Sequence, residues 1–449
     1  MEKKERSTGS SRMHCLVLPF PAAGHMNPML QFSKLLQHQG VRITLVTPHS
    51  FSKNFPTLPN WLTLQTISDG FDSGGLEEAG TYPAYIDRFE QVGPDNLVRL
   101  IQKLVGRSDP VDCVIYDSSL PWALESAKRL GLFAAVYITQ SMAVNTLFYN
   151  VHLGQLRVPL TEEEISLPAL PKLKLDDMPS VFFSLPYFLY RLVDQFSNIH
   201  KADWIFCNTF YELENQVVDW MTKNWPQFRT IGPNVPSKDD QDYGAVQFAS
   251  DDDKCMEWLD DKPKGSVVYV SFGTTVPLDE EQMKELAWAL RICDNHFFWV
   301  VRASEETKLP KDFAKKSEKG LVVKWCSQPK VLAHEAIGCF VTHCGWNSTL
   351  EALCLGIPTI AVPLMADQIT NAKFIADVWK VGLKAPFDEK KIARQGALKH
   401  CISKVMDCEE GKEIKNNLIQ FKTLAAKAMD EGGSTQKNIG EFVNSLLQL

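Results

Sequence analysis

The stretch THCGWNS, Thr342–Ser348, joins residue types that could hold an anion. Gly345 follows an apolar run, at a point that predicts a tight turn needing a positive φ or a close backbone approach. Asn347 and Ser348 then fall in the first turn of a predicted helix, whose N–H groups and positive dipole end favour an anion. His343 could add a donor. The segment predicts a phosphate cradle, with a simple helix N-cap by Asn347 or Ser348 as the alternative.

Other common ligand motifs are missing from the sequence. It has no GxxxxGK[ST] stretch and no GxGxxG after a predicted strand, so neither a P-loop nor a nicotinamide-type site is indicated. Residues 251–253 read DDD and contain a DxD pattern, which binds a metal in other enzymes. They precede a helical run in a polar stretch, where a helix cap or a solvated patch is the simpler interpretation. No metal site is predicted.

The elements that position these residues follow from apolar patterning. Short runs rich in β-branched residues alternate with amphipathic stretches, which predicts strands and helices in turn. The predicted strands of the first half cover residues 14–21, 41–48, 111–118, 134–139, 203–209 and 229–236. Those of the second half cover residues 266–273, 296–302, 320–325, 338–345 and 358–363. Such alternation indicates parallel sheets covered on both faces.

A polar, acidic stretch between the two sets of strands predicts an interdomain linker. The sequence is therefore divided into a disordered tail (1–13), a first α/β domain (14–236), a linker (237–254), a second α/β domain (255–430) and a terminal helix that packs back on the first domain (431–449). Ligands bind at the carboxyl ends of parallel strands. The polar, Gly-rich residues after the strands of both domains predict a site in the cleft between them.

Composition limits the class of protein. The chain has 449 residues, a net charge of -7 and 22% charged residues, which does not favour nucleic acid or an anionic membrane as a partner. No apolar run approaches the length that spans a bilayer. The eleven cysteines are scattered without paired CxxC motifs, which indicates reduced thiols and no zinc site. We expect a cytoplasmic protein, a monomer, with no membrane span.

The segment from Trp325 to Gln368 is the most distinctive in the chain. It reads WCSQPKVLAHEAIGCFVTHCGWNSTLEALCLGIPTIAVPLMADQ and resembles the 44-residue signature box of plant UDP-dependent glycosyltransferases that act on small molecules. PFPAAGHMNPML, IYDSSLPWALE, NTFYELE, VVYVSFGT and TNAKFIADVWKVG also stand in the family's order. The resemblance implies the GT-B fold: two Rossmann-like domains whose parallel sheets face a central cleft, with the acceptor in the N-terminal half and the UDP-sugar in the C-terminal half.

The resemblance also implies roles in the donor site. Trp325, which alone would be interpreted as a core residue, would stack on uracil, an interaction worth roughly 1–3 kcal/mol in other nucleotide sites. Gln328 and Glu351 would contact the ribose. Cys326 is another implied donor residue. The residues implied around the pyrophosphate are Ser271, Thr274, His343, Asn347 and Ser348. Those implied to contact the sugar are Thr139, Trp346, Asp367 and Gln368. Gln368 is typical of the glucose-preferring box, so UDP-glucose is the expected co-substrate.

His25 is the expected catalytic base. It follows Gly24 after the first predicted strand, where a side chain can enter the cleft, and a histidine has a suitable pKa for taking the acceptor proton. Asp117 ends another strand and could orient the imidazole and stabilise its protonated form. The family's His and Asp occupy these places, which implies direct attack with inversion, giving a β-glucoside. A helix dipole would help UDP to leave, so we expect neither a metal nor a cofactor.

The acceptor is less determined. An acceptor pocket is expected from Met142, Phe148, Phe182, Phe183, Leu364 and Met365. Met365 stands where the box often has an aromatic residue, and Ala23 where the family often has Gln, which leaves room for a bulky alcohol such as a steroid or triterpenoid, with tolerance for flavonoids. The alternatives are small phenols or phenolic acids, with a carboxyl as the group modified, and a Met365 that only repacks against the sheet. Ser327 replaces a common Pro of the box.

Two other functions fit parts of the pattern. A UDP-sugar epimerase or hydrolase on the same fold would not need a large apolar acceptor pocket. A non-catalytic UDP-sugar sensor could keep Trp325 and Glu351 but would have no reason to keep His25 together with Asp117. The presence of both residues favours an enzyme.

Overall fold

The computed structural model describes residues 13–55, 58–107, 109–236, 252–313 and 319–448. Most of the expected tail and of the expected linker, residues 1–12 and 237–251, therefore lies outside the described residues. The last residues of the expected linker begin a helix, Asp252–Asp260, so regular structure of the second domain starts before residue 255.

The N-terminal sheet has seven parallel strands within the described residues. They are β1 (His14–Leu18), β2 (Arg42–Pro48), β3 (Leu62–Ile67), β4 (Cys113–Asp117), β5 (Phe133–Ile138), β8 (Trp204–Cys207) and β9 (Phe228–Thr230), with a short antiparallel pair β6 (Glu164–Ile165) and β7 (Leu173–Lys174) outside the sheet. The strand order is β3-β2-β1-β4-β5-β8-β9. Strand β3 was not predicted, because this edge strand is only partly buried along its middle and its apolar signal is weak.

The C-terminal sheet has six parallel strands in the part of the chain that the structure describes. They are β10 (Val267–Ser271), β11 (His296–Val300), β12 (Gly320–Val323), β13 (Ile337–Thr342), β14 (Thr359–Ala361) and β15 (Gly382–Lys384). Their order is β12-β11-β10-β13-β14-β15. The sequence analysis did not predict β15, which has only three residues and contains a glycine.

Helices cover both faces of the two sheets. Those of the N-terminal half are α1 (Ala23–His38), α2 (His49–Ser52), α3 (Leu76–Ala79), α4 (Tyr82–Gly106), α5 (Trp122–Arg129), α6 (Met142–His152), α7 (Val181–Ser184), α8 (Pro186–Asp194) and α9 (Asn215–Asn224). Those of the C-terminal half are α10 (Asp252–Asp260), α11 (Glu280–Ile292), α12 (Gln328–Leu332), α13 (Trp346–Leu355), α14 (Gln368–Lys373), α15 (Gln395–Asp407), α16 (Glu409–Met429) and α17 (Ser434–Leu447). None of the described helices has the length and apolar character needed to cross a bilayer.

The terminal helix α17 packs against the N-terminal sheet. Its Phe442 ring contacts the rings of Trp204 and Phe206, at centroid distances of 5.7 and 5.0 Å. The Thr435 hydroxyl donates to the carbonyl of Gly232, and the Asn438 amide donates to the carbonyl of Thr230. The end of the chain therefore crosses back to the domain in which it began.

Each sheet has one point where the strand order reverses. In the N-terminal sheet it lies between β1 and β4, and in the C-terminal sheet between β10 and β13. Loops leave such neighbouring strands in opposite directions and open a crevice at their carboxyl ends. His25 and Asp117 follow or end the first pair of strands, and Ser271 and His343 end or follow the second pair. The strand order thus places at these crevices the same residues that the sequence patterns indicated.

Candidate active site

The turn between β13 and α13 differs in one detail from the expected geometry. Gly345 has an ordinary φ of -58°, and the positive φ falls on Cys344, at 65°. Glycine is needed at 345 because of a close backbone approach and not because of a positive φ. A Cβ there would lie 2.6 Å from Nε2 of His343. The turn thus folds its backbone around the imidazole of His343.

The backbone at Gly345 and at Gly273 approaches the His343 ring so closely that neither position has room for a side chain. A Cβ on Gly273, whose φ is 69°, would lie 2.9 Å from Cε1 and Nε2 of the ring. Burial, and then the charge of Arg302, lower the pKa of His343 to about 4. The imidazole is therefore neutral at physiological pH, and it can donate a hydrogen bond through only one ring nitrogen.

Helix α13 begins without a side-chain cap, because its N-cap residue is Gly345. The simple N-cap alternative is therefore not what the structure has. The Asn347 side chain instead donates from Nδ2 to the carbonyl of Gly24 in the other domain, at 2.9 Å. Ser348 accepts from Nε2 of Gln328 at 2.9 Å. Among the described residues, no side chain caps the first turn of the helix, where an anion is favoured.

Gln328 and Glu351 form one hydrogen-bonded unit, with Glu351 three residues after Ser348 in helix α13. Nε2 of Gln328 donates to the Glu351 carboxylate at 2.7 Å, and Tyr269 donates to Oε1 of Gln328 at 3.4 Å. Glu351 is 3% exposed, so it is not the solvated helix residue that it would be taken for in isolation. Trp325 and Cys326 line the same cavity between the two domains as Gln328 and Glu351. A buried carboxylate presented next to a flat indole suits a nucleoside.

The segment after β14 supplies a second carboxylate, that of Asp367, which is partly buried. Burial raises the pKa of Asp367 to about 6, although a hydrogen bond from Asn371 and the charge of His25 oppose the rise. Next to it, the Gln368 amide oxygen accepts from the backbone N–H groups of Leu364 and Met365, at 3.0 and 3.1 Å. These bonds fix the loop and orient the Gln368 amide group.

One cavity of about 610 Å³ between the domains brings most of the predicted donor residues together. Its walls include Ser271, Thr274, Trp325, Cys326, Gln328, His343, Asn347, Ser348, Glu351, Asp367 and Gln368. Trp346 is an exception, because its indole is buried and donates from Nε1 to the carbonyl of Asn208. Thr139 is another, since it lines the neighbouring cavity instead. Arg302 also lines the cavity and was missed by the sequence analysis. Its guanidinium donates hydrogen bonds to the carbonyls of Thr274 and Val276, at 2.8 Å each.

His25 and Asp117 meet at the edge of this cavity. Nδ1 of His25 lies 2.8 Å from Oδ2 of Asp117, whose other oxygen accepts from the N–H of Ser119. Thr139 lies 3.3 Å from the same ring nitrogen. Nε2 of His25 makes no hydrogen bond to any residue that the structure describes, and the side chain is 29% exposed. The pair is therefore arranged as a base with a fixed tautomer.

The pKa values of this pair shift in opposite directions. Burial lowers the pKa of His25, but the charge and hydrogen bond of Asp117, with a smaller contribution from Asp367, raise it above the ordinary value. Burial raises the pKa of Asp117, but the charge and hydrogen bond of His25 and the bonds from Ser119 lower it below the ordinary value. The carboxylate thus favours the protonated imidazole, the form that a general base reaches after taking a proton.

A second cavity, of about 250 Å³, adjoins His25 and shares Phe20, Met365 and Ala366 with the first. Helices α4 and α8 supply much of its apolar wall, through Tyr82, Ile86 and Phe89 from α4 and Phe188 and Leu192 from α8. Phe20, Val181, Leu185, Trp122 and Thr139 complete much of the remainder. These residues were not predicted as a pocket. The three- and four-residue spacing within α4 and α8 is the signal that could have found them.

The predicted acceptor-pocket residues are divided by the structure. Met365 lines both cavities at the point where they meet, and Leu364 precedes it in the same loop. Met142, Phe148 and Phe182 are core residues, and the Phe148 and Phe182 rings stack on each other at 5.8 Å. Phe183 is 55% exposed. Met142, Phe148, Phe182 and Phe183 line neither cavity, because their helices direct them into the core or to solvent. Leu364 lines neither cavity either, so Met365 alone of the six predicted residues does.

The DDD segment lies next to Ser327, one of the two departures from the signature pattern. Asp251 is outside the described residues. Asp252 accepts from the backbone N–H of Ser327 at 3.2 Å and from Nζ of Lys330 at 3.3 Å. A proline at 327 could not donate this bond. Among the described residues, no three His, Cys, Asp or Glu side chains are grouped so that they could hold a metal ion.

Comparison with known proteins identifies the family of this chain. The family model described as UDP-glucoronosyl and UDP-glucosyl transferase matches residues 188–425. Mogroside I-E synthase of Siraitia grosvenorii is 45% identical, over 97% of this chain and 98% of the relative. UDP-glucosyltransferase 45 of Panax ginseng is 41% identical, over 97% and 98%.

Solved structures give the same result for the fold. The crystal structure of Os79 from O. sativa in complex with UDP matches with a TM-score of 0.90 and 34% identity, over 96% of this chain and 100% of that one. Two parallel sheets of seven and six strands, a family model covering more than half of the chain and relatives aligned over nearly all of it lead to one conclusion. The chain belongs to the UDP-glucoronosyl and UDP-glucosyl transferase family, and it is a plant-type UDP-glucose-dependent glycosyltransferase of small natural products with the GT-B fold.

Proposed function

We propose that the enzyme transfers glucose, with inversion, from UDP-glucose to a hydroxyl of a bulky apolar natural product, giving a β-glucoside. The observation that carries this proposal is His25, which lines both the donor cavity and the apolar cavity beside it. An acceptor hydroxyl next to Nε2 of His25 can lose its proton while it attacks the anomeric carbon of a sugar held near Asp367 and Gln368. Attack from the face opposite the leaving UDP inverts the configuration.

We propose that UDP leaves without the help of a metal ion. The N-terminus of α13, the neutral His343 and the polar residues Ser271 and Thr274 line the cavity where the diphosphate would lie. Backbone N–H groups and a helix dipole stabilise phosphate charge as a cation does. Activity is therefore expected to persist at the parental rate after exhaustive EDTA treatment, measured as glucoside formed. Loss of activity that magnesium or manganese restores would contradict this proposal and would indicate a metal role for Asp251–Asp253.

For the acceptor, we propose a steroid or triterpenoid class of alcohol, with tolerance for flavonoids. The cavity beside His25 is lined largely by aromatic and aliphatic side chains, five of them from α4 and α8, which also contribute the charged Glu90, Arg191 and Asp194. Flexible Met365 lines it rather than a rigid aromatic residue. Mogroside I-E synthase is among the relatives, and an Os79 structure holds a trichothecene. These names support a small natural product of this kind as acceptor.

A substrate panel with the variant Met365→Trp tests the acceptor class. Because Met365 lies where the two cavities meet, the larger indole should narrow the passage, and overpacking of this kind costs about 1–3 kcal/mol. We expect kcat/KM for polycyclic alcohols to fall by about tenfold, with small phenols little affected. Glucoside formation is measured by mass spectrometry.

The matched control is Met365→Leu, which nearly conserves volume and should keep the parental profile. An unchanged profile in Met365→Trp, or a parent enzyme that modifies only small phenols or acids, would contradict the assignment of a bulky acceptor. Free glucose without any glucoside would instead indicate a hydrolase.

We further propose that the enzyme works as a monomer in the cytosol. One chain supplies both cavities and the catalytic pair, so a second copy is not needed to complete the site. All eleven cysteines lie within the described residues and are free thiols, which fits a reducing compartment.

A further inference from the structure

Asn371 lies at the sugar end of the donor cavity without lining it. This side chain, on α14, is 1% exposed. Its Nδ2 donates to Oδ2 of Asp367 and to the carbonyl of Cys344, at 3.0 Å each. Its Oδ1 accepts from the hydroxyl of Ser141, at 3.3 Å. One amide thus joins a sugar-site carboxylate, the turn before α13 and the N-terminal domain.

The partners of Asn371 lie in the donor cavity or next to residues that line it. Asp367 lines the donor cavity, Cys344 holds the positive φ between His343 and Gly345, and Ser141 is the N-cap of α6, two residues after Thr139. A buried amide whose two N–H groups and oxygen are all used has a single orientation. We propose that Asn371 is a positioning residue: it orients the Asp367 carboxylate toward the donor sugar and fixes it relative to both the anion-binding turn and the acceptor domain.

Asn371 supplies the side-chain hydrogen bond to the Asp367 carboxylate, which is also favoured by the backbone N–H of Asp367 and by the charge of His25. Among the described residues, the nearby lysines Lys373 and Lys384 turn to Asp177, at 3.5 and 3.7 Å, and Lys373 also pairs with Asp377. The titratable group that faces Asp367 from the opposite domain is His25, and the charges of Asp367 and His25 stabilise each other. The hydrogen bond from Asn371 favours the ionised carboxylate, which is the stronger acceptor for sugar hydroxyls.

The test is the pH dependence of UDP-glucose binding, measured by calorimetry without acceptor so that turnover does not enter. This inference rests on the proposed contact between Asp367 and the sugar. In the parent, affinity should rise as the pH increases through the Asp367 pKa of about 6. In Asn371→Leu the carboxylate loses a donor, so we expect roughly 10-fold weaker UDP-glucose binding at neutral pH and a midpoint displaced upward by about one pH unit. UDP binding should change much less.

Two further variants separate this role from a purely structural one. Ser141→Ala removes the bond to Oδ1 of Asn371, together with the N-cap bond from Val144, but leaves the bond from Asn371 to Asp367 in place, so the midpoint should stay unchanged. In an Asp367→Asn background, Asn371→Leu should add no further pH effect, because the titrating group is gone. If Asn371→Leu fails to fold, Asn371→Asp decides, since it keeps the shape and adds a carboxyl that should raise the midpoint by like-charge repulsion.

The outcomes distinguish this inference from the proposed function. An unchanged midpoint and affinity in Asn371→Leu or Asn371→Asp, while Asp367→Asn weakens UDP-glucose binding, would overturn the positioning role alone. Unchanged UDP-glucose binding in Asp367→Asn would overturn the sugar contact on which the inference rests. A parent protein that binds UDP-glucose but forms no glucoside would overturn the proposed function instead.

Discussion

Replacing His25 by alanine is expected to lower turnover of hydroxyl acceptors by about 10²–10⁴-fold, the usual contribution of a positioned general base. Nδ1 of His25 is held 2.8 Å from Asp117, which leaves Nε2 to take the acceptor proton. UDP affinity should change little, because Trp325 and Glu351, which would hold the nucleoside, belong to the other domain. Turnover is measured as glucoside formed, and UDP affinity by calorimetry.

His38→Ala is the matched control for this variant. It lies at the last turn of the same helix, α1, and is exposed, so its removal should leave turnover at the parental value. Parental turnover in His25→Ala with hydroxyl acceptors would rule out the assignment of the base. Acceptors with a carboxylic acid group are a less sensitive test, because they are already ionised.

The pH profile adds a signature that a structural role for His25 would not give. The base must be neutral to accept a proton, so kcat/KM should rise with pH through the His25 pKa. Asp117 raises that pKa above its ordinary value of 6.5, so the midpoint should lie above 6.5. Asp117→Asn removes the charge, which should lower the maximal rate and move the midpoint to lower pH.

Replacing Glu351 by glutamine is expected to weaken the binding of both UDP and UDP-glucose by roughly 10–150-fold, because hydrogen bonds to a charged group contribute about 1.5–3 kcal/mol. Glu351 is 3% exposed and accepts from Gln328 at 2.7 Å, so its carboxylate is held in place within the donor cavity. Glutamine keeps the shape and removes the charge. Calorimetry with each ligand measures the effect.

The kinetic pattern of Glu351→Gln is expected to differ from that of His25→Ala. A contact with the ribose is present both in the bound substrate and in the transition state, so KM for UDP-glucose should rise while kcat stays near the parental value. Glu335→Gln is the control, since this glutamate is exposed on the same domain and forms only a surface ion pair with Lys264. A large loss of kcat with unchanged KM would contradict a ribose contact.

Local patterns in the sequence were enough to predict the architecture of this protein and to suggest its chemistry. Strand–turn–helix patterns are local, and they placed His25, Asp117 and His343 where parallel strands end. Because the carboxyl ends of parallel strands share one edge of a sheet, residues far apart in the chain could be assigned to one cleft before any coordinates were known. Both parallel sheets were expected for the same reason, and only the weakly patterned strands β3 and β15 were missed.

The tertiary structure decided which side chains form the acceptor cavity and how the donor residues are held. Apolar periodicity indicates that a residue faces inward, but not which neighbouring element covers it. Phe148 and Phe182 therefore looked like pocket residues until packing placed them in the core, whereas Phe89 and Phe188 line the cavity because α4 packs near α8. The bonds from Asn347 to Gly24 and from Ser141 to Asn371 join residues more than 200 positions apart. No local pattern encodes such a contact, because it exists only once the two domains have met.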